Sequence, residues 1–238
     1  MKKIVVLTGA GISADSGVST FRDNNGLWEN HRIEDVATAD AFIRNPDLVY
    51  QFYNQRRTQL NAGDIHPNAA HLALAQLEKQ YKQNLIVVTQ NVDNLHERAG
   101  TKNILHMHGE LNKALCNHCH KVSKWVEDLN GHSVCPSCQE QGKMRPYIVW
   151  FGEMPLYMDI IERKLLECDL FVSIGTSGSV YPAAGFVELV RTQNPKAHTL
   201  QLNKEPSKQN SLFAEKRYGN ANEIVPAWVE ELLKNPLK

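Results

Sequence analysis

The chain has no net charge: Lys plus Arg number 26 and Asp plus Glu number 26 among 238 residues. Without a global basic field it has no surface that would gain by releasing counterions from a phosphate backbone. Direct nucleic-acid binding is therefore not expected as its main work. Nor is there an apolar run approaching the roughly 20 residues that span a bilayer, so no membrane role is expected. Met1-Lys2-Lys3 runs straight into Ile4-Val5-Val6-Leu7, which leaves no space for a secretory leader. Low-complexity tracts and internal repeats are absent. Cysteine is scarce as well. Four of the five form two C-x-x-C pairs, Cys116 with Cys119 and Cys135 with Cys138, and Cys168 stands alone. An odd count with paired C-x-x-C suits a metal in a reducing cytoplasm, not a disulfide framework.

What is present is an ordinary globular mixture, 42% hydrophobic and 22% charged, on a chain long enough for a large domain with a small one. Four apolar runs end in polar clusters. Ile4-Val5-Val6-Leu7 leads into Thr8-Gly9-Ala10-Gly11, and Leu85-Ile86-Val87-Val88 into Thr89-Gln90-Asn91-Val92-Asp93. Leu170-Phe171-Val172-Ser173-Ile174 leads into Gly175-Thr176-Ser177-Gly178, and His198-Thr199-Leu200-Gln201-Leu202 into Asn203-Lys204-Glu205. Short β-branched runs without alternation predict strands buried on both faces of a parallel sheet. Helical spacing over 69–80, 159–167 and 183–191 fills the gaps, and His66-Pro67-Asn68 is a start signal for the first. The alternation predicts an open α/β sheet, which binds ligands at the carboxyl ends of its strands. All four polar clusters then surround one crevice. Two stretches break the pattern: 21–61, polar and partly helical with no strand, and 111–147, which holds the cysteines. The predicted division is a large domain from 1–30, 62–110 and 148–238, with a small module from 31–61 and 111–147.

Gly9-Ala10-Gly11-Ile12-Ser13-Ala14 fits G-x-G-x-x-[GA] directly after a strand. Small residues there permit a tight turn and close approach to a pyrophosphate, with the following helix aiming its N–H groups at the anion. A dinucleotide fold also wants an acidic residue about twenty positions on, at the end of a second strand. That stretch is instead Phe21-Arg22-Asp23-Asn24-Asn25-Gly26-Leu27-Trp28, loop-like, which disfavours a plain dehydrogenase. Asn203 or Glu205, ending another strand, could take the ribose contact.

Two C-x-x-C turns fifteen residues apart close a tetrahedral zinc site with no vacancy for water, so a structural ion is expected. A rival reading is a ribbon that binds nucleic acid, but its flanks (Lys113, Lys121, Lys124) are only mildly basic. His118, His120 and His132 are expected at the surface, since four thiolates complete the ion. His108, before Gly109, is a candidate general base. Asn91 and Asp93 are candidates for a ligand site, or simply caps for a helix starting near Asn94. Nothing about their neighbours singles out His96 or His106.

Taken together these pieces resemble a family. Gly9-Ala10-Gly11-Ile12-Ser13, Thr20-Phe21-Arg22, Thr89-Gln90-Asn91-Val92-Asp93-Asn94-Leu95, His108-Gly109, the four cysteines, Phe151-Gly152-Glu153 and Gly175-Thr176-Ser177 come in the order found in sirtuins, NAD-dependent protein-lysine deacylases. The resemblance covers nearly the whole chain. It implies a Rossmann-like, doubly wound parallel sheet with a smaller inserted zinc-binding and helical module, one structural Zn2+, and NAD as co-substrate. A narrower resemblance is to the bacterial-type, class III (desuccinylase-like) subgroup. Its Tyr-x-x-Arg stands here as Tyr53 and Arg56, which share a helical face and suit an acyl carboxylate. Ala37 matches a small residue that widens the acyl pocket.

The resemblance further implies roles. His108 is the base, and Asn91 and Asp93 hold the nicotinamide and its ribose. Gly9, Ala10, Gly11, Ile12, Ser13, Ala14, Thr20, Phe21, Arg22, Trp28, Gln90, Val92, Gly175, Thr176 and Ser177 contact the rest of NAD, with Asn203, Lys204, Glu205 and Ala221 at the adenosine end. Val149, Phe151, Gly152 and Glu153 would pair with the backbone of the acylated protein as an added strand. The implied products are free lysine, nicotinamide and 2′-O-acyl-ADP-ribose. Mono-ADP-ribosyl transfer and a non-catalytic NAD sensor fit the same NAD site. A cytoplasmic location is expected from the cysteine pattern, and a monomer because few residues precede the first strand or follow the last helix.

Overall fold

The computed structural model describes residues 2–18, 27–28 and 31–236. Thr20, Phe21 and Arg22, and the side chain of Trp28, lie outside the described residues. In chain order the strands are β1 (Ile4–Thr8), β2 (Leu27–Trp28), β3 (His31–Arg32), β4 (Leu85–Thr89), β5 (Ile104–His106), β6 (Gly109–Cys116), β7 (Val122–Lys124), β8 (Met144–Ile148), β9 (Leu170–Ile174), β10 (His198–Asn203) and β11 (Glu215–Tyr218). The helices are α1 (Ile33–Val36), α2 (Ala39–Arg44), α3 (Pro46–Asn61), α4 (Ala69–Tyr81), α5 (Leu95–Ala99), α6 (Met158–Glu167), α7 (Phe186–Gln193) and α8 (Ala221–Lys234).

Six strands form one parallel sheet in the order β11-β10-β9-β1-β4-β5. Numbered by their sequence within that sheet this is 6-5-4-1-2-3, the doubly wound order, with its switch point between β1 and β9. Alternate side chains of β1 show why both faces are covered. Ile4 and Val6 pack with Leu74 and Leu77 of α4 and Val225 and Trp228 of α8. Val5 and Leu7 pack with Ile161 and Leu165 of α6 and Phe186 and Val190 of α7. Each buried aliphatic side chain of this kind stabilises by about 1.5–3 kcal/mol. Helix α4 starts where the sequence signals it: the Asn68 side chain accepts from the N–H groups of Ala70 and His71, and the His71 ring reaches back to the Asn68 N–H. Among the described residues no helix is long and apolar enough to cross a membrane.

Three details differ from the sequence reading. The sheet has six strands, not four. β5 is only three residues long, and β11 is an edge strand of charged residues, Glu-Lys-Arg-Tyr, whose side chains alternate between half-buried and exposed. The stretch 21–61, expected to hold no strand, contains the short antiparallel pair β2 and β3. The glycine turn is followed by two single 3-10 turns, Ala10–Ile12 and Ala14–Ser16, not by an α-helix. Gly17, in the left-handed region at φ +83°, closes the second of them.

The small module has two parts. β7-β6-β8 form an antiparallel sheet that carries the cysteines, and α1 to α3 pack a separate core around Val49, Phe52 and Tyr53. Arg57, 1% exposed, fastens α3 to the sheet part. Its Nε donates to Leu111 O at 2.9 Å and its Nη1 to Glu127 O at 3.2 Å. Asn54 Nδ2 adds a bond to Leu129 O at 2.9 Å.

Candidate active site

A cavity of about 550 Å3 opens along the carboxyl ends of β1, β4, β9 and β10. Gly9, Ala10, Gly11 and Ala14 line it after β1, and Gln90, Asn91, Val92 and Asp93 after β4. Gly175, Thr176 and Ser177 do so after β9, and Asn203, Lys204, Glu205 and Ala221 beyond β10. His108 shares the same wall. The lining continues through Ala37, Tyr53, Arg56, Val149, Phe151, Gly152 and Glu153, on the side of the small module. The sequence-predicted residues thus converge on one space, with two exceptions among the described ones. Ile12 is fully buried in the core beneath β1, so its side chain packs the sheet and cannot touch a ligand. Ser13 is also fully buried, one layer behind the wall.

The glycines of the first turn serve packing inside the protein. A Cβ on Gly11 would sit 2.7 Å from Gly175 Cα, and Gly11 N–H donates to Gly175 O at 3.0 Å. Two strand-end turns therefore touch backbone to backbone at the switch point, and no side chain fits between them. Asn203 braces the second turn from β10, donating Nδ2 to Thr176 O at 2.9 Å.

Behind the wall is a polar layer. Ser13 donates its hydroxyl to Asp93 Oδ2 at 3.0 Å and accepts from Asn91 Nδ2 at 3.1 Å. Asn91 Nδ2 also reaches Gly9 O at 3.2 Å. Asp93 Oδ1 accepts from Leu95 N–H at 3.0 Å, so this side chain does cap the start of α5, and Asp93 lines the cavity as well. Burial raises the Asp93 pKa, opposed by those two hydrogen bonds and the charge of His106. Thr8 joins β1 to β4 through Thr89 at 2.8 Å and meets His96 Nε2 at 3.1 Å.

His108 Nδ1 lies 3.2 Å from Gln90 O. A carbonyl oxygen can only accept, so Nδ1 carries the proton and Nε2 keeps its lone pair. Burial lowers its pKa despite that bond, and the ring is neutral near pH 7. A neutral imidazole with one fixed proton and a basic nitrogen, set on a cavity wall, can accept a proton from a bound hydroxyl. Its place depends on Gly109, which has φ +83° and whose added Cβ would fall 2.1 Å from Tyr147 O. Gly109→Ala is accordingly expected to destabilise the protein by more than about 2 kcal/mol through strain and overpacking, read as the midpoint shift in urea unfolding. A shift within error would show that β6 and β8 can part without cost.

At the far end, Tyr53 and Arg56 stand one turn apart on α3. The Tyr53 hydroxyl accepts from Trp150 Nε1 at 3.1 Å, and burial pushes its pKa well above the usual phenol range. The Arg56 guanidinium lies 3.9 Å over the Phe52 ring. Glu153 is committed to structure: Arg145 forks onto its two oxygens at 2.7 and 2.9 Å, and Trp150 N–H donates to it at 2.8 Å. Trp150, stacked under Arg145 at 3.9 Å, is a site residue that the sequence reading passed over. Its signal was its place directly before Phe151-Gly152-Glu153. Phe151 N–H donates to Ala37 O at 2.9 Å, which ties the Ala37 end of the cavity to the strand-like segment beside it.

The four cysteine sulfurs all lie within 4.8 Å of one another. Cys116 and Cys138 are 3.7 Å apart at sulfur, and so are Cys119 and Cys135. Sulfurs on a tetrahedral zinc with bonds of about 2.3 Å stand about 3.8 Å apart. The donor set and its spacing fit one structural zinc. His120 and His132 are exposed, as is His118.

A sequence model described as the Sir2 family matches residues 9–182, nearly three-quarters of the chain. The chain belongs to the Sir2 family. Relatives within it are close. The NAD-dependent protein deacylase SIR2rp3 of Leishmania major is 58% identical over 238 residues, covering 99% of this chain and 97% of that protein. The NAD-dependent protein deacylase of Pasteurella multocida (strain Pm70) is 57% identical over 231 residues, covering 97% and 98%. Among solved Sir2 structures, an ADP-ribose complex of a mutant Sir2 homologue superposes with TM-score 0.87 at 33% identity, covering 100% of this chain and 95% of that one. A Sir2 homologue–NAD complex gives 0.85 at 34%, covering 98% and 90%.

Proposed function

We propose that the protein is an NAD-dependent lysine deacylase that removes acetyl and succinyl groups from protein lysines in the cytoplasm, acting as a monomer. One observation carries this reading: a single cavity joins the four strand-end clusters, a histidine with a basic nitrogen, and a Tyr-Arg pair at the opposite end. NAD supplies an anomeric carbon, and its bond to nicotinamide breaks as the acyl oxygen attacks. The turns after β1 and β9, with Asn203, Lys204, Glu205 and Ala221, form the nucleotide end. Asn91 and Asp93 hold the nicotinamide end. The acylated lysine enters past Val149, Phe151 and Gly152. His108 Nε2 then takes the proton of a ribose hydroxyl as that oxygen attacks the carbon bound to the acyl oxygen. Alignment of two substrates and a base lowers the barrier by several kcal/mol. The bond from the acyl carbon to the lysine nitrogen breaks and one water adds to that carbon, leaving free lysine, nicotinamide and 2′-O-acyl-ADP-ribose as products.

The test is nicotinamide release with acetyl-, succinyl- and unmodified lysine peptides. Release that needs no acyl group would end the proposal, and label appearing on protein would replace it with ADP-ribosyl transfer. Arg56 and Tyr53 make the finer claim. Arg56→Met removes the cation facing the acyl carboxylate, so kcat/KM for succinyl peptide should fall about ten- to a hundredfold, with little change for acetyl peptide. Equal losses on both would show that Arg56 only shapes the helix.

A further inference from the structure

The reaction as written leaves His106 and Glu97 without a task. His106 ends β5 and is 5% exposed. Its Nδ1 lies 3.1 Å from Asn91 O, and its Nε2 lies 2.6 Å from Glu97 Oε1 on α5. A carbonyl oxygen and an ionised carboxylate both accept only. Both ring nitrogens must then donate, and the ring is an imidazolium. We propose that His106 is a positioning residue for the nicotinamide end of the site, holding the Asn91 backbone only while it keeps both protons. The inference rests on the NAD reading of the cavity.

Asn91 O is the middle one of three successive carbonyls pinned from one neighbouring segment. Gln90 O takes its donor from His108 Nδ1, Asn91 O from His106 Nδ1, and Val92 O from Leu111 N–H at 2.8 Å. Rotation of the peptide after Asn91 would move the side chains of Asn91 and Asp93 with it. A neutral His106 cannot serve both partners. The charge-assisted bond to Glu97 is the stronger and keeps its proton. The Asn91 carbonyl is then left facing a lone pair.

The charged and titratable groups around the ring agree with this. Glu97 and His96 come from α5, Asp93 from the loop after β4, Glu110 and its partner Lys113 from β6, and His108 lies two residues on. Burial pulls His106 toward neutrality, but the bond to Glu97 and the charges of Glu97 and Glu110 outweigh it and raise its pKa. Burial likewise opposes the Glu97 charge, and the His106 bond outweighs it and lowers that pKa. His96, fully enclosed, is pushed well below the usual histidine range and stays neutral. Because the folded His106 pKa is raised, its contribution is complete below the unfolded value and is lost as pH rises through the folded one. Glu97, being lowered, contributes above its unfolded value and loses hold as pH falls through its folded one. The clamp therefore opens on the alkaline side.

Glu97→Gln keeps an acceptor oxygen and removes the charge. The His106 resonance, assigned by its absence in His106→Gln, is titrated by NMR on the whole chain. The kcat/KM for NAD in nicotinamide release is followed across pH on the same proteins. His106 should titrate above the ordinary histidine value of about 6.5 and at a lower pH in Glu97→Gln than in the parent. The alkaline limb of kcat/KM should move down with it while the acid limb stays. His106→Gln should lose about ten- to a hundredfold in kcat/KM for NAD and show no alkaline limb. A His106 that titrates at or below the ordinary value, or an alkaline limb that stays in place in Glu97→Gln, overturns the proposal. If no acylated peptide releases nicotinamide at any pH, the NAD reading fails, while the NMR titration still decides whether the ring is held charged.

Discussion

His108→Gln is expected to lower deacylation by about two to four powers of ten and to leave the melting temperature nearly unchanged. The glutamine amide can still donate to Gln90 O, where His108 Nδ1 now donates. What disappears is the basic nitrogen. The acid limb of the parent enzyme should report the same group. Burial lowers the His108 pKa, so the base stays unprotonated to a lower pH than an exposed histidine would, and activity should persist below about pH 6.5. A His108→Gln enzyme with parental turnover, or a parent whose acid limb lies well above that value, would place the base elsewhere. NAD affinity, measured by calorimetry, should change little, because the loss falls on the chemical step.

Removing the zinc is expected to abolish activity without unfolding the large domain. Thiolate zinc sites of this kind can hold on the order of 10 kcal/mol of folding free energy, and the surrounding core is small, built on Tyr50, Ala114, Leu129 and Met144 besides two of the cysteines. The path to the active site is short. Arg57 joins α3 to Leu111 and Glu127, and Tyr53 and Arg56 sit on that same helix. A loosened sheet releases the helix that carries Tyr53 and Arg56. The two cores of the parallel sheet share no cysteine ligand, so they should stay folded. In Cys119→Ser, zinc content should fall to near zero, amides over 111–147 should exchange quickly, and those of β1, β4 and β9 should stay protected. Full turnover in zinc-free protein would remove the bracing role.

How much of this could be read from residues alone differs by element. β1, β4 and β9 are buried at every position, and unbroken runs of Ile, Val, Leu and Phe state that plainly. β11 was invisible because an edge strand keeps its charged side chains in water and shows no such run. The helix expected after the glycine turn was a local reading. Gly11 answers instead to Gly175, far away in the chain, and only the sheet order brings the two together. The cavity wall was legible because strand ends in an open parallel sheet share one edge. Its second layer was not. His71, His96 and His106 are ordinary residues in sequence, and their value comes from partners on other elements. Ile12 belongs to the glycine motif, and its side chain is core.

The three pinned carbonyls of Gln90, Asn91 and Val92 bear on motion. Their donors come from the short span between His106 and Leu111, which also contains His108 and opens the first strand of the cysteine-bearing sheet. That sheet therefore joins the large domain at the cavity wall itself. A lever moves least at its fulcrum. Any rotation of the cysteine-bearing sheet about that junction would displace the tip near Cys135 more than His108. His108 would keep its bond to Gln90 O, and with it the direction of Nε2, through such a rotation.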